Sequence, residues 1–189
     1  MGMNKLFIIM GASGSGKSTI EEKINKLGLA KKVISSTTRR PRAYETDGED
    51  YYFLPLNVFN IYLSQGQFAE NSVYTTVDGM ARYGINKNDI KLNEESYVCV
   101  VNPHGMNQLI KNLGKSNCVT ILIRRDDKTR LISSLNRDSE VNVNEVIRRY
   151  EADKIDFAGV ENEVDYVVEN IDLFETMVKI EKIIKSETI

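Results

Sequence analysis

The segment from Gly11 to Ser18 constrains the fold of this chain more than any other. It reads G-A-S-G-S-G-K-S and fits the pattern G-x-x-x-x-G-K-[ST] at every fixed position. An apolar run (residues 5–10) precedes it and a helical pattern follows, so it predicts a strand, a phosphate-binding loop and a helix in that order. Glycines let such a loop wrap closely around phosphate oxygens, while backbone N–H groups and the helix N-terminus point at the anion.

Two side chains of this loop have specific expected roles. Lys17 would reach the β- and γ-phosphates of a nucleotide and act as a catalytic residue, and Ser18 would ligate Mg²⁺. The other residues expected to bind the nucleotide phosphates are Ala12, Ser13, Gly14, Ser15, Gly16 and Thr19. The alternative is a Gly/Ser-rich turn that caps an ordinary helix, and the strand–loop–helix context argues against it.

Short β-rich runs alternate with helical patterns along the rest of the chain. The predicted strands are residues 5–10, 32–35, 97–101, 119–123 and 166–168, and the predicted helices begin near Lys17, Leu56, Pro103, Lys128, Asn144 and Asp172. This alternation predicts an α/β fold, a parallel sheet of the P-loop NTPase type flanked by helices. A length of 189 residues predicts a single domain.

Two stretches interrupt the alternation. Asp47-Gly48 and Asp78-Gly79 are turn signals between short, tyrosine-rich runs, and the second predicts a hairpin between residues 73–77 and 80–85. They predict a small antiparallel subdomain at about residues 36–86. Residues 130–149 are rich in Arg, Asn and Ser, which predicts a helical lid at about 128–150. The core would then comprise residues 1–35, 87–127 and 151–189.

Composition and charge exclude several classes of protein. A net charge of −2 argues against a globally basic nucleic-acid binder. The longest apolar run, residues 6–10, is far too short to cross a membrane. Cys99 and Cys118 lie in apolar runs and are expected to be buried, reduced thiols of a cytoplasmic protein. Two cysteines and one histidine cannot complete a four-ligand zinc site.

A basic loop follows the second predicted strand. Residues 35–42 read S-S-T-T-R-R-P-R, and Pro41 forces an extended or turn conformation on Arg40. Because arginine forks match phosphate oxygens bidentately, this loop predicts a second phosphate site. The alternative is a solvated basic loop that pairs with the acidic residues after it, Glu45, Asp47, Glu49 and Asp50.

The same loop carries a family resemblance. Residues 35–42, then Glu45 and residues 47–53 (D-G-E-D-Y-Y-F), resemble the signature segment of guanylate kinases, which are P-loop nucleoside-monophosphate kinases. Phe68-Ala69-Glu70 and Tyr83-Gly84 resemble the next two family motifs. The resemblance implies Mg²⁺-dependent transfer of phosphate from ATP to GMP or dGMP, giving GDP or dGDP. The expected partners are therefore these nucleotides, without nucleic acid or membrane, in a monomer or a homodimer.

The resemblance also implies roles for the acceptor-side residues. The expected ligands of the GMP phosphate are Arg39, Arg42, Tyr51 and Tyr83, and Arg42 is also expected to act in catalysis. Ser35 would contact guanine O6, and Asn102 would lie near the guanine amino group. Glu70 would accept hydrogen bonds from guanine N1–H and N2–H₂, which suits an ionised carboxylate because it only accepts.

In the lid, Arg137 and Arg148 resemble the catalytic arginines of the family. Ser134 stands where the family usually has a further arginine. Arg130 lies one helical turn earlier on the same face, so it is a candidate for part of that role. Beyond the lid, Asn170 resembles the asparagine that contacts the adenine of ATP.

Several positions depart from the family pattern. Val100 and Asn102 stand where the family usually has two aspartates, close to the guanine amino group and the metal-bound water shell. Ile85 replaces a hydroxyl residue, and the spacing from Glu70 to Tyr83 is longer than usual. Two alternatives therefore stay open, a kinase of the same fold with another phosphorylated acceptor, and a non-catalytic binding module. The intact phosphate loop argues against the second.

Overall fold

The computed structural model describes residues 3–42, 45–76, 79–136 and 142–188, and these contain nine strands and six α-helices. The strands are β1 (Leu6–Met10), β2 (Lys31–Lys32), β3 (Ser36–Thr37), β4 (Tyr52–Phe53), β5 (Phe68–Thr76), β6 (Gly79–Asn86), β7 (Tyr97–Val100), β8 (Cys118–Arg124) and β9 (Tyr166–Glu169). The helices are α1 (Lys17–Lys26), α2 (Leu56–Ser64), α3 (Pro103–Leu113), α4 (Asp127–Leu135), α5 (Val143–Asp156) and α6 (Leu173–Glu187). Short 3₁₀ turns lie at Lys87–Asp89, Lys115–Asn117 and Val160–Asn162.

The central sheet is parallel throughout, with strand order β2-β7-β1-β8-β9. Strand β1 lies in the middle, and Ile8 is paired with β7 on one side and with β8 on the other. All five β1 side chains are fully buried. Their alternation supplies both faces of the sheet, which explains why β1 is continuously apolar. The predicted α/β fold with a parallel sheet is confirmed.

Helices cover the two faces of this sheet. Helix α1 and helix α6 pack on the face that carries Phe7 and Ile9, while α3 packs on the face that carries Ile8 and Met10. Helix α6 begins after Asp172, whose side chain accepts a hydrogen bond from the Glu175 amide. The α6 residues at this interface are Met177, Ile180 and Ile184, whose spacings of three and four residues place them on one face of the helix. Cys99 and Cys118 are both buried and unbridged.

A second, four-stranded sheet has the order β4-β3-β6-β5. Strands β5 and β6 form the predicted antiparallel hairpin, in which Thr76 is opposite Gly79. Strands β3 and β4, however, are parallel, so this sheet is mixed rather than antiparallel as predicted. The loop between them, residues 38–51, is long enough for the chain to return and enter β4 in the same direction as β3.

Local details differ modestly from the sequence-based boundaries. Strand β2 is shorter than the predicted 32–35, although the Val33 amide still donates to the Val98 carbonyl. Helices α4 and α5 begin one residue before their predicted starts, capped by Asp126 and Asn142. The division into core, subdomain and lid stays a prediction. Within the described ranges, every helix is too short or too polar to span a bilayer.

Candidate active site

The phosphate loop joins β1 to α1 and requires its glycines. Gly14 and Gly16 have φ values of 77° and 95°, which residues with a Cβ rarely adopt. A Cβ on Gly14 would lie 2.2 Å from the carbonyl oxygen of Arg130, and a Cβ on Gly16 would lie 2.5 Å from Nδ2 of Asn170. The loop is therefore packed tightly between α4 and the end of β9.

Asn170 supports this loop from behind. It is 4% exposed, and its Nδ2 donates to the carbonyl oxygen of Ser15 at 2.8 Å. Its Oδ1 accepts from the Thr176 hydroxyl at 3.1 Å, and its backbone amide donates to the Arg124 carbonyl at 2.7 Å. Asn170 thus ties the phosphate loop to the ends of β8 and β9. The adenine contact implied by the resemblance stays a prediction.

Lys17 and Ser18 open helix α1 beside the loop. The Lys17 ammonium donates to the Ala12 carbonyl at 3.0 Å, so the side chain folds back over the phosphate loop. Ser18 and Thr19 are exposed. The described residues contain no group of three or more His, Cys, Asp and Glu side chains that would hold a metal ion. An exposed hydroxyl beside an anion-binding loop suits a magnesium ion that keeps several waters and arrives with the nucleotide.

Helices α4 and α5, which lie in the predicted lid, contact this loop directly. The Ser13 amide donates to Oδ2 of Asp153, on α5, at 2.7 Å. Arg130, on α4, is 6% exposed and lies 3.6 Å from the same carboxylate and 3.0 Å from Asp127. Its guanidinium lies 5.2 Å from the centre of the Tyr150 ring, and its Nε has no hydrogen-bond partner among the described residues. Arg130 therefore lies at the loop, as its candidate role requires.

The other residues named for the predicted lid are Arg148, Ser134 and Arg137. Arg148 donates from Nε and Nη2 to the two carboxylate oxygens of Glu145 at 2.8 and 2.9 Å, and Arg149 shares that carboxylate. These hydrogen bonds lower the pKa of Glu145 to about 2. Ser134 lies beside Gly14. Arg137 falls outside the described residues, so its role stays a prediction.

On the acceptor side, the expected phosphate ligands converge on Arg39. Its Nη1 and Nη2 donate to the two oxygens of Glu45 at 2.6 and 2.5 Å, and its Nε donates to the Tyr83 hydroxyl at 3.1 Å. Its guanidinium also lies 4.9 Å from the centre of the Tyr51 ring. The Arg42 amide donates to Glu45 at 2.8 Å. The structure thus brings together all four residues named for the phosphate.

Glu45 has the environment of a permanently charged group. Burial alone would raise its pKa, but hydrogen bonds from Arg39 and from the Arg42 amide outweigh burial and lower it. An ion pair between Arg39 and Glu45 is also expected for a solvated basic loop without a phosphate site. That alternative does not predict that Tyr51 and Tyr83 would both contact Arg39.

Glu70 has the opposite environment. It is 4% exposed, and burial raises its pKa to about 7 although the Ser72 hydroxyl donates to it at 2.6 Å. A Cβ on Gly105 would already lie 3.0 Å from its Cγ and Oε1, because α3 approaches this carboxyl closely. Beside it lies a cavity of about 440 Å³ lined by Ser72, Tyr74, Asn102, His104 and Asp156.

Asn102 and Ser35 are the other two residues named for the guanine base. Asn102 lines the cavity, but its Oδ1 accepts from the Gly105 amide at 2.8 Å and so caps α3. Ser35 is partly buried, and its carbonyl accepts from the Tyr52 amide at 2.9 Å. Ile85 is fully buried in the core. The contacts of these residues with a base stay predictions.

Comparison with known proteins agrees with this geometry. The family model described as guanylate kinase matches residues 3–187. The chain belongs to the guanylate kinase family. A guanylate kinase of Mesomycoplasma hyopneumoniae (strain J) is 32% identical over 98% of this chain and 96% of its own length. One of Tropheryma whipplei (strain Twist) is 30% identical over 90% of this chain and 88% of its own.

The fold comparison points the same way. The crystal structure of guanylate kinase from Anaplasma phagocytophilum matches all of this chain and 88% of that chain, with a TM-score of 0.74 and 23% identity. This likeness concerns the fold. The family model and the curated relatives show that the chain is an enzyme of the nucleoside-monophosphate kinase class.

Sequence reasoning missed Asp153, although it contacts the phosphate loop of this family member. Asp153 lies on α5 among other charged residues, where an acidic side chain is normally solvated. The one available signal was its position three residues after Tyr150, which places both on the helix face toward α4.

Proposed function

We propose that this protein transfers the γ-phosphoryl group of ATP to GMP or dGMP, with Mg²⁺, and releases ADP and the guanine nucleoside diphosphate. The observation that carries the proposal is Glu70. It is a buried carboxyl that can accept hydrogen bonds, it lies beside an open cavity of about 440 Å³, and it is on the same sheet as the Arg39 cluster. Guanine presents two adjacent donors, N1–H and N2–H₂, whereas adenine has an acceptor at N1. An ionised Glu70 therefore complements guanine and opposes adenine.

Charge complementarity explains how the remaining residues would act. The loop amides and Lys17 would hold the donor phosphates, and Ser18 would share a magnesium ion with them. When bound, that ion neutralises charge on the transferring group. On the acceptor side, the Arg39 guanidinium would release the Glu45 carboxylate and bind the acceptor phosphate instead. The acceptor is already a phosphate, so the reaction needs no side chain to remove a proton.

Binding of guanine and ionisation of Glu70 would support each other. The pKa of Glu70 is about 7 in the nucleotide-free protein, so the carboxyl is partly protonated near neutral pH. Two hydrogen bonds from guanine favour the charged form, and the pKa would fall on binding. Binding of guanine would thereby favour the ionised form of Glu70, which is the form that accepts both hydrogen bonds from the base.

A second candidate is a kinase of the same fold with another phosphorylated acceptor. Two observations favour it over a binding module: Ile85 is buried where the family has a hydroxyl, and Oδ1 of Asn102 is engaged by the cap of α3. Neither Ile85 nor Asn102 belongs to the phosphate loop, whose motif is intact. A change of acceptor, rather than a loss of catalysis, is therefore the alternative to test.

The deciding experiment is an ADP-release assay with Mg-ATP and a panel of acceptors: GMP, dGMP, AMP, UMP, dTMP and none. We expect turnover with the guanine nucleotides only. Lys17→Ala should abolish it in a protein that stays folded, while Lys23→Ala, an exposed position of the same helix, should not. Turnover with a different acceptor would favour the second candidate. ATP binding without any turnover would instead favour a binding module.

A further inference from the structure

Helix α1 carries a buried carboxyl group that the proposed reaction has not used. Glu21 is 8% exposed and lies beside Ile20 and Ile24 on the buried side of the helix. Burial raises its pKa to about 7, while the positive charge of Lys32 and the backbone amide of Val100 oppose that rise and the charge of Glu22 adds to it. A carboxyl in this environment costs stability when ionised, so its position calls for a function.

The surroundings of Glu21 place it at the carboxyl edge of the central sheet. Val100 is the last residue of β7, and Lys32 is the last residue of the neighbouring strand β2. The pKa of Tyr51 is raised mainly by burial and in part by the charges of Tyr83 and Glu21, so Glu21 also lies near the Arg39 cluster. In parallel α/β sheets, ligands bind at this edge. Glu21 is therefore near the carboxyl ends of β2 and β7, on the helix that follows the phosphate loop.

Two further features connect Glu21 to the expected metal ion. Ser18 and Glu21 are three residues apart on α1, which makes them neighbours on the helix surface. The Val100 side chain packs with the cluster of Phe7, Ile9 and Ile20, on the face of the sheet covered by α1. A carboxylate at position 100, where the family usually has one, would thus project toward the face from which Glu21 approaches.

We propose that Glu21 supplies, from α1, the carboxylate that position 100 of this chain lacks. It accepts hydrogen bonds from waters bound to the magnesium ion held by Ser18 and the nucleotide. A hydrated magnesium ion offers water protons that need acceptors, and carboxylates that orient such waters strengthen metal binding. The inference rests on the proposed use of a magnesium nucleotide, but it does not depend on which acceptor is phosphorylated.

The test measures metal binding directly, with Mn²⁺ as the probe. The full chain, saturated with ADP, is titrated with Mn²⁺ and the free ion is followed by electron paramagnetic resonance. Glu21→Gln should weaken Mn²⁺ binding about tenfold, the lower end of what loss of an outer-shell partner costs. Its affinity for ADP without metal should stay close to that of the wild type. Glu22→Gln, an exposed neighbour on α1, is the matched control and should change neither affinity.

A rescue experiment tests whether a carboxylate at position 100 can replace the carboxylate of Glu21. Glu21→Leu should weaken Mn²⁺ binding as Glu21→Gln does, and adding Val100→Asp should restore it. Thermal unfolding identifies any variant that fails to fold. Glu21→Gln, which preserves shape, keeps the proposal testable in that case. The same variant should be more stable than the wild type above pH 7, because it no longer buries a charge.

These results separate the inference from the proposed function. Unchanged Mn²⁺ affinity in folded Glu21→Gln would overturn the role of Glu21, even if GMP is phosphorylated. A folded Glu21→Leu/Val100→Asp protein that binds Mn²⁺ as weakly as Glu21→Leu would overturn the claim that Glu21 replaces a carboxylate at position 100. Failure of the acceptor panel with Mn²⁺ binding weakened as expected would overturn only the proposed acceptor.

Discussion

The two phosphate-binding regions of this protein both engage a carboxylate of the chain itself. On the acceptor side, Glu45 takes both Nη groups of Arg39. On the donor side, Asp153 accepts a hydrogen bond from the Ser13 amide in the phosphate loop. In each region a side-chain anion therefore contacts a group that is expected to meet a phosphate.

The two carboxylates differ in where they come from. Glu45 is six residues from Arg39, so its pair belongs to one loop and orders that loop locally. Asp153 is 140 residues from Ser13 and reaches it from α5, a helix of the predicted lid. A phosphate at Arg39 would compete with a carboxylate of the same loop, whereas a phosphate at Ser13 would compete with a carboxylate on α5. If α5 belongs to a lid, donor binding and the position of that lid should be coupled, and the Arg39–Glu45 pair predicts no such coupling.

Breaking the acceptor-side pair should have the largest effect. Arg39→Ala removes the phosphate fork and leaves the Glu45 carboxylate, whose side chain is 5% exposed, without its main partner. Truncating one member of such a pair costs roughly 2–5 kcal/mol. Since each 1.4 kcal/mol corresponds to a factor of ten, kcat/KM for the acceptor should fall on the order of 30- to 4,000-fold. Steady-state kinetics with varied acceptor measure this, and calorimetry with ADP should show donor binding unchanged.

The neighbouring Arg40, which is exposed, provides the control for this variant. Arg40→Ala should leave acceptor kinetics within about twofold of the wild type, as surface substitutions usually do. An equal loss of donor and acceptor binding in Arg39→Ala would mean that the two regions are not independent.

Weakening the donor-side contact should have a smaller and opposite effect. Asp153→Asn keeps an acceptor for the Ser13 amide but removes the charge that competes with phosphate. A charge-assisted hydrogen bond exceeds a neutral one by about 1 kcal/mol, so ADP affinity should rise about fivefold. Calorimetric titration measures it, with the exposed Glu151→Gln on the same helix as control. Weaker ADP binding would instead assign Asp153 to the nucleotide-bound state.

A third effect concerns the stability of the protein rather than nucleotide binding, and it comes from Glu70, the near-neutral counterpart of the ionised Glu45. Its pKa is about 7 in the folded protein and 4.5 as the ordinary value, so between these values the folded state binds more protons than the unfolded chain. Its contribution to the free energy of unfolding therefore falls as the pH rises through that range. Glu70→Gln should remove this fall and gain up to about 3 kcal/mol above pH 7.

Urea denaturation at pH 5 and pH 8 checks this prediction. The exposed Glu94→Gln should leave the difference between the two pH values unchanged. Glu21 contributes a slope of the same sign, since its pKa is also raised to about 7. A pH dependence that persists fully in Glu70→Gln would mean that Glu70 ionises in the folded protein as it does in water.

Local patterns and family resemblance predicted much of the fold and the groups that form the site. The phosphate loop could be predicted because its motif is contiguous, so Lys17 and Ser18 are fixed by their neighbours. The parallel sheet follows from the alternation of apolar runs and helices. The convergence of Tyr83 on Arg39 came only with the resemblance, since 44 residues separate them.

What the sequence could not predict depends on contacts between distant segments. Glu21 and Asp153 look like ordinary charged positions of surface helices, and only packing shows one to be buried and the other on the loop. The parallel pairing of β3 and β4 depends on the path of a 14-residue loop, for which two-residue strands carry no periodic signal. The resemblance predicts that Asn170 contacts the adenine of ATP. Its hydrogen bond to the Ser15 carbonyl could not be predicted, because it depends on how β9 packs against the phosphate loop.

The support that Asn170 gives to the phosphate loop has a consequence for biosynthesis. Asn170 lies 155 residues after the Ser15 carbonyl that it binds, so the loop is synthesised well before the side chain that supports it. Strand β1 likewise obtains its two neighbours only when β7 and β8 have been made. During synthesis, the nucleotide-binding sequence therefore lacks these supports until β7, β8 and Asn170 have been made.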